Sequence, residues 1–260
     1  ADLLTSGWTN TANIVEAGFG QPVSAVLPAL GEKDIWKLDP GKYDSTHSAL
    51  VYGMGLTPSL IINTDLVRPG EIQSWQDLLD PRWKDKMVMS DPRAGSGPAA
   101  GGIWVWSKLG EDFWKKLAAQ RPVMTVSAEL PTQQVALGEK PVAIFPNFLR
   151  VVTAITAGAP LQLVHLKEGT AYYISGVGPV KNAPHPNAAL VFINWMFTKE
   201  GQAAIGKASG LFTIRKDVAE DWIRIRELRA GNYTLVEPAA NFPGYSDKGA
   251  EFAKSIFGAR

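Results

Sequence analysis

Apolar and polar positions along the chain follow two rhythms. Short apolar runs bounded by Gly, Pro and Asp read as strands, and stretches with apolar positions three or four apart read as helices. Ala1–Gly7 reads as a strand running into a loop, and Thr9–Ala17 as a short helix with Thr9 as its N-cap. Residues 20–48 are rich in Pro, Gly and Asp, hold no sustained period, and read as surface loops and turns. Ala49–Gly55 and Leu60–Asn63 read as strands. Ser74–Leu79 is a capped helical turn stopped at Asp80-Pro81, and Lys86–Ser90 is a short strand. A tight loop over Asp91–Pro98 leads to a helix over Ala99–Leu109, which Gly110 ends, and to a second helix over Asp112–Gln120. Pro131–Leu137 is helical, and Val142–Phe145, between Pro141 and Pro146, reads as a buried strand. The pattern continues with a helix over Asn147–Ala157 and strands over Leu161–His165 and Tyr172–Val180. An amphipathic helix over Pro186–Phe197 and another helix over Lys199–Ala208 follow. The tail over 217–260 reads as mainly helical, with a loop around Pro238–Ser246. This alternation of strand and helix predicts an α/β fold with mostly parallel sheets.

Composition narrows the function. The 260 residues suffice for two ordinary domains. Lys plus Arg number 26 against 25 Asp plus Glu, so the chain carries no single-sign field and no nucleic-acid partner is expected. There is no cysteine, which removes disulfides, thiolate catalysis and sulfur-ligated metals together. His47, His165 and His185 lie too far apart in sequence to suggest a histidine metal site. No apolar run reaches the length of a membrane span, and no signal peptide opens the chain, so an exported form is expected to be numbered from after processing.

The loop Asp91–Pro98 carries the sharpest chemical signal. A strand, then glycines with a serine, then a helix start offers free backbone N–H groups and a positive dipole end to a phosphate or carboxylate. Ser96 adds a hydroxyl there and Arg93 a bidentate fork. A turn with an N-cap serine accounts for the same residues. No G-K-[ST] follows, so this is not a P-loop, and Ala94-Gly95-Ser96-Gly97-Pro98 is not a serine elbow. The carboxylates are scattered, so no catalytic group is expected. Tyr172-Tyr173 is a visible aromatic pair, and ferric iron accepts tyrosinate, but it needs several oxygens together.

Four segments, in order along most of the chain, resemble the extracellular solute-binding proteins of ABC importers. Trp75-Gln76-Asp77-Leu78-Leu79-Asp80-Pro81-Arg82-Trp83-Lys84-Asp85-Lys86 is similar to that family's W-x-D-L-L-D-P segment, and Ser90-Asp91-Pro92 with Ser96-Gly97 is similar to its anion-binding loop. Gly138-Glu139-Lys140-Pro141-Val142-Ala143-Ile144 resembles its G-E-x-x-V-A turn and strand. Ala183-Pro184-His185-Pro186-Asn187 with Phe192-Ile193-Asn194-Trp195-Met196 and Lys199-Glu200-Gly201-Gln202 resembles its paired helices. The similarity is greatest to the branch that contains the ferric-iron-binding proteins.

The resemblance implies a type II periplasmic-binding fold, with two α/β lobes joined by a hinge of two crossings. Lobe one is expected over 1–56 and 176–228, lobe two over 57–175 and 229–260, with crossings near 55–59 and 174–178. It implies a monomeric, cofactor-free periplasmic (or membrane-tethered extracytoplasmic) protein that is not an enzyme. Such a protein captures a small polar or anionic organic solute in an inter-lobe cleft and delivers it to an ABC permease in the inner membrane. A ferric-iron or metal-complex binder is the first alternative. An enzyme on the same fold is another, disfavoured because the enzymatic relatives depend on cysteine. Ala1-Asp2-Leu3-Leu4-Thr5-Ser6 resembles a segment that normally lies at the family's third strand, so an opening β-α-β unit is expected to be missing. The expected ligand contacts are Ser6 and Trp8 from lobe one, Arg93, Ser96, Gly97, Glu129 and Phe148 from lobe two, and Tyr172 near the hinge. Glu129 stands where the family normally has Asn, which leaves room for an amine on the solute. Where the ferric branch has its Tyr-Tyr pair, this chain has Phe148 and Leu149 after Asn147. Titration with Fe(III) is therefore expected to give no tyrosinate-to-iron absorption band, and the appearance of such a band in the visible spectrum would restore the iron reading.

Overall fold

The computed structural model describes residues 1–23, 27–32, 34–56, 60–93, 96–127, 129–222, 235–236 and 245–258. Its first strand, β1 (Leu3–Gly7), runs directly into α1 (Trp8–Glu16), with Gly7 and not Thr9 at the N-cap position. A 3-10 turn at Pro28–Gly31 precedes β2 (Leu50–Leu56) and β3 (Leu60–Asn63). Then come β4 (Met87–Ser90), α2 (Ser96–Ala119), β5 (Val123–Thr125), α3 (Leu130–Ala136), β6 (Val142–Ile144) and α4 (Phe148–Thr156). The order ends with β7 (Leu161–Val164), β8 (Thr170–Pro179), α5 (Pro186–Met196), α6 (Lys199–Ser209), β9 (Leu235–Val236) and α7 (Tyr245–Phe257). The tail pattern anticipated neither β9 nor the helical start of α7, and most of residues 223–244 lie outside the described residues.

The chain divides into two compact units, Ala1–Gly55 with Tyr173–Ile223 and Leu56–Tyr172 with Arg224–Arg260. The changeovers at Gly55/Leu56 and at Tyr172/Tyr173 fall inside the strands β2 and β8.

In the first unit β8 lies between β1 and β2. It runs antiparallel to β1, with Leu3 opposite Pro179 and Gly7 opposite Ser175. Side chains of the family-like helix pair hold this unit. Gln202, 1% exposed, donates to the carbonyls of Tyr52 and Met196 and accepts from Thr213 Oγ1 and Ile214 N, so its amide is fully used. Gly201 beside it tolerates no Cβ, because one would run into the Trp195 carbonyl. Arg215, also buried, donates to Asp217, Glu32 and the Phe197 carbonyl. The Asp2 carboxylate accepts from His185 N at 2.9 Å, which ties the start of β1 to the start of α5. α5 is not amphipathic as its pattern suggested. Ala189, Ile193 and Met196 are buried, yet Val191, Phe192 and Trp195 are exposed.

In the second unit the sheet order is β5-β4-β6-β3-β7. β5, β4 and β6 are mutually parallel, whereas β3 runs antiparallel to both β6 and β7. The sheet is therefore mixed: β7 runs the same way as β5, β4 and β6, and β3 alone runs against them. Helices separate β4, β5, β6 and β7 in sequence, whereas among the described residues none lies between β2 and β3, and hydrophobic periodicity carries no sign of strand direction. Beneath the sheet lies an aromatic core with Trp75, Trp83, Trp104, Trp114, Phe113 and Phe145. The W-x-D-L-L-D-P segment feeds this core. Trp75 and Leu78 are fully buried, the Asp77 carboxylate accepts the N–H groups of Gln73 and Ser74, and Asp80 Oδ1 accepts Arg82 N. α7 closes the core from outside, with Phe252 stacked 4.7 Å from Trp106.

α2 spans both sequence-predicted helices because it is broken at Gly110, whose φ of 76° and ψ of 179° no L-residue adopts cheaply. A Cβ there would meet nothing within 4 Å, so any cost of a side chain comes from the backbone alone. Gly110→Ala is expected to destabilise the protein by about 1–3 kcal/mol in urea unfolding. The control Gly31→Ala, with equally open space and no positive φ, should cost under about 0.5 kcal/mol.

Candidate ligand-binding site

Three parallel strands of the second unit end on one edge, and a helix follows each. From β4 the chain passes through Asp91–Arg93 towards α2, from β5 through Ser127 and Glu129 to α3, and from β6 through Phe145–Asn147 to α4. Ligands of open α/β sheets bind outside the carboxyl ends of such strands, where helix N-termini supply unpaired N–H groups. This single edge gathers Arg93, Ser96, Gly97, Glu129 and Phe148. Ser96 and Gly97 form the first turn of α2, and their side-chain surroundings lie outside the described residues.

Arg93 is not free to hold a solute anion. Its Nε and Nη2 donate to the two carboxylate oxygens of Asp91, at 2.8 and 2.9 Å, and its Nη1 donates to the carbonyls of Phe257 and Gly258. The Asp91 side chain is 4% exposed and that of Arg93 12%. The hydrogen bonds it donates to Asp91 raise the pKa of the Arg93 guanidinium above its ordinary value. Asp91 N in turn donates to the Thr125 carbonyl, fastening the end of β4 to the end of β5. The fork assigned to an oxyanion from sequence instead locks this loop to the end of α7.

At the end of β5, Ser127 Oγ accepts from both Glu129 N and Leu130 N at 3.2 Å and so serves the start of α3. Glu129, at the N-cap position, makes no capping bond with its side chain. It pairs with Arg150 instead, 2.6 Å between Oε1 and Nη2, with both side chains more than half exposed. Sequence reasoning missed Arg150, since nothing in its spacing marks it. Only the fold brings the third residue of α4 beside the start of α3.

At the end of β6, Phe145 takes a left-handed φ of 53°, a genuine outlier for a bulky side chain. Its ring is anchored 5.5 Å from that of Trp75 and 6.3 Å from that of Trp114. The turn this creates presents Asn147, whose Oδ1 accepts Arg150 N and caps α4. Phe148 is 6% exposed and packs inward.

In the first unit Ser6 and Trp8 flank the junction of β1 and α1. Ser6 Oγ lies 2.9 Å from Thr11 Oγ1, and Thr11 is fully buried against Gly176, where a Cβ would collide with it. Trp8 is 5% exposed, its ring 5.7 Å from that of Tyr43. Tyr172 and Tyr173 stand at the changeover in β8. Tyr173 lies over Gly55, where a Cβ would run into its ring, and burial, with Tyr52 nearby, pushes its hydroxyl above the ordinary phenol value. That disfavours a tyrosinate. Among the described residues no group of three His, Asp or Glu side chains is placed to hold a metal ion, and no helix is long and apolar enough to cross a membrane.

The family model for bacterial extracellular solute-binding proteins matches residues 1–227. The chain belongs to that family. Its fold is shared with periplasmic binding proteins of known structure. The one from Actinobacillus pleuropneumoniae named AfuA, solved with fructose-6-phosphate, is 23% identical with a TM-score of 0.75 over 98% of this chain and 81% of that one. Iron-bound HitA from Pseudomonas aeruginosa is 18% identical with a TM-score of 0.77 over 98% and 82%. An uncharacterized protein of Haemophilus influenzae is 36% identical over 49% of this chain and 38% of its own length. The spermidine/putrescine-binding periplasmic protein of Salmonella typhimurium is 27% identical over 62% and 50%. The chain thus spans half or less of the length of these two relatives. The family is that of bacterial extracellular solute-binding proteins, and the fold is that of periplasmic binding proteins.

Within this family member the Asp91–Arg93 pair is expected to be structural. Arg93→Met should lower stability by about 3 kcal/mol or more, because it strands a buried carboxylate. Asp91→Asn combined with Arg93→Met should recover a large part of that loss in urea unfolding, whereas additive losses would show that the pair is not coupled.

Proposed function

We propose that the chain is the solute-capturing component of an ABC importer, working outside the cytoplasmic membrane, with the two units acting as its lobes. The observation that carries this reading is the gathering of three helix starts at the carboxyl ends of β4, β5 and β6 in a member of this family. The solute is small, organic and polar or anionic. Two relatives support this class, one named for binding polyamines and one solved with a sugar phosphate. Ser96 and the Gly97 N–H hold an oxygen of the solute, Glu129 takes an amine, and Phe148, Ser6, Trp8 and Tyr172 shape the surroundings. Arg93 contributes by fixing the loop that carries Ser96. Bound solute favours one conformational state of the protein, which the permease then recognises.

A thermal-shift screen over small organic anions, phosphonates, polyamines and sugars, with Fe(III) as control, tests the reading. A true ligand at about 100 times its Kd should stabilise the protein by roughly 2.7 kcal/mol. No shift from any class would reject it.

A further inference from the structure

The Glu129–Arg150 pair does no evident work for the fold. Ser127, and not Glu129, receives the N–H groups at the start of α3. Asn147 caps α4 through the backbone of Arg150, leaving its guanidinium unused for capping. That guanidinium sits in the first turn of α4, where the positive end of the helix dipole opposes a cation. With side chains 52% and 63% exposed, the pair contributes little stability, and removing either partner strands no buried charge. Yet it bridges two of the three helix starts at the carboxyl edge of the parallel strands.

Resting on the solute-capture reading above, we infer that this ion pair selects solutes that carry both an amine and an acid group. An ion pair 2.6 Å long satisfies itself. A solute with one charge must break the pair and leave one partner bare. A solute with both charges replaces both halves at once, its ammonium on Glu129 and its phosphate or carboxylate on Arg150. Discrimination therefore comes from the partner left bare as much as from the new contact made. The existing pair also keeps the edge near neutral when empty, so that neither free phosphate nor free polyamine is drawn there strongly.

The test is isothermal titration with two matched series, phosphoethanolamine against ethyl phosphate and ethylamine, and γ-aminobutyrate against butyrate and butylamine. The wild-type protein should bind at least one zwitterion about tenfold or more tighter than either of its halves. Glu129→Gln should bring that zwitterion down to the level of the acid half, and Arg150→Gln to the level of the amine half, with ligand-free melting unchanged in both. Binding of a half as tightly as of its zwitterion would overturn the inference. So would equal weakening of every probe by both variants. If the broad screen finds a ligand while neither zwitterion binds, the selection rule falls and solute capture stands. If no compound of either panel binds, both fall.

Discussion

The ring of Phe145 is held between Trp75 and Trp114, and its backbone accepts a left-handed φ at the same residue. Such a conformation costs on the order of 1–3 kcal/mol and persists only where the surroundings over-determine it. Here the aromatic core does so. The same core lies beneath β4 and β6, and Phe145 converts the end of β6 into the turn that sets Asn147 and the start of α4. The placement of Arg150 follows from that turn. What stands at the carboxyl edge thus depends on packing beneath it, and not on sequence proximity.

A second fastening works on the neighbouring strand. Asp91 ties β4 to β5 through its backbone, and through its carboxylate it holds Arg93, which reaches the end of α7. Buried charges of this kind are tolerable when each is matched and hydrogen-bonded. The two charge pairs at this edge differ in kind. Asp91–Arg93 is buried, whereas both side chains of Glu129–Arg150 are more than half exposed.

The elements were legible where a local rule governed them. Trp75 and Leu78 in the capped turn, the break at Gly110 and the short apolar run of β6 all carry their cause within a few residues. The direction of β3 was not legible, because among the described residues no helix lies between it and β2 to mark a crossover. The candidate site rests on local signals only in part. The loop after β4 announced itself through its glycines, but the role of Arg93 did not, since its partner carbonyls at Phe257 and Gly258 lie far along the chain. Arg150 left no trace in the sequence, because an exposed arginine acquires meaning only from what the fold sets opposite it. The Gln202 of the helix-pair motif, unexplained by spacing, proves to be a four-way hydrogen-bonding hub.

The central claim is that solute is held at the carboxyl edge of β5, β4 and β6. Hydrogen–deuterium exchange with and without a saturating solute tests it most directly, since bound ligand suppresses local opening where it binds. Added protection is expected to concentrate in peptides covering 91–97, 127–130 and 147–150. Protection concentrated on the exposed face of α5 around Val191 and Trp195, with none at those strand ends, would contradict it.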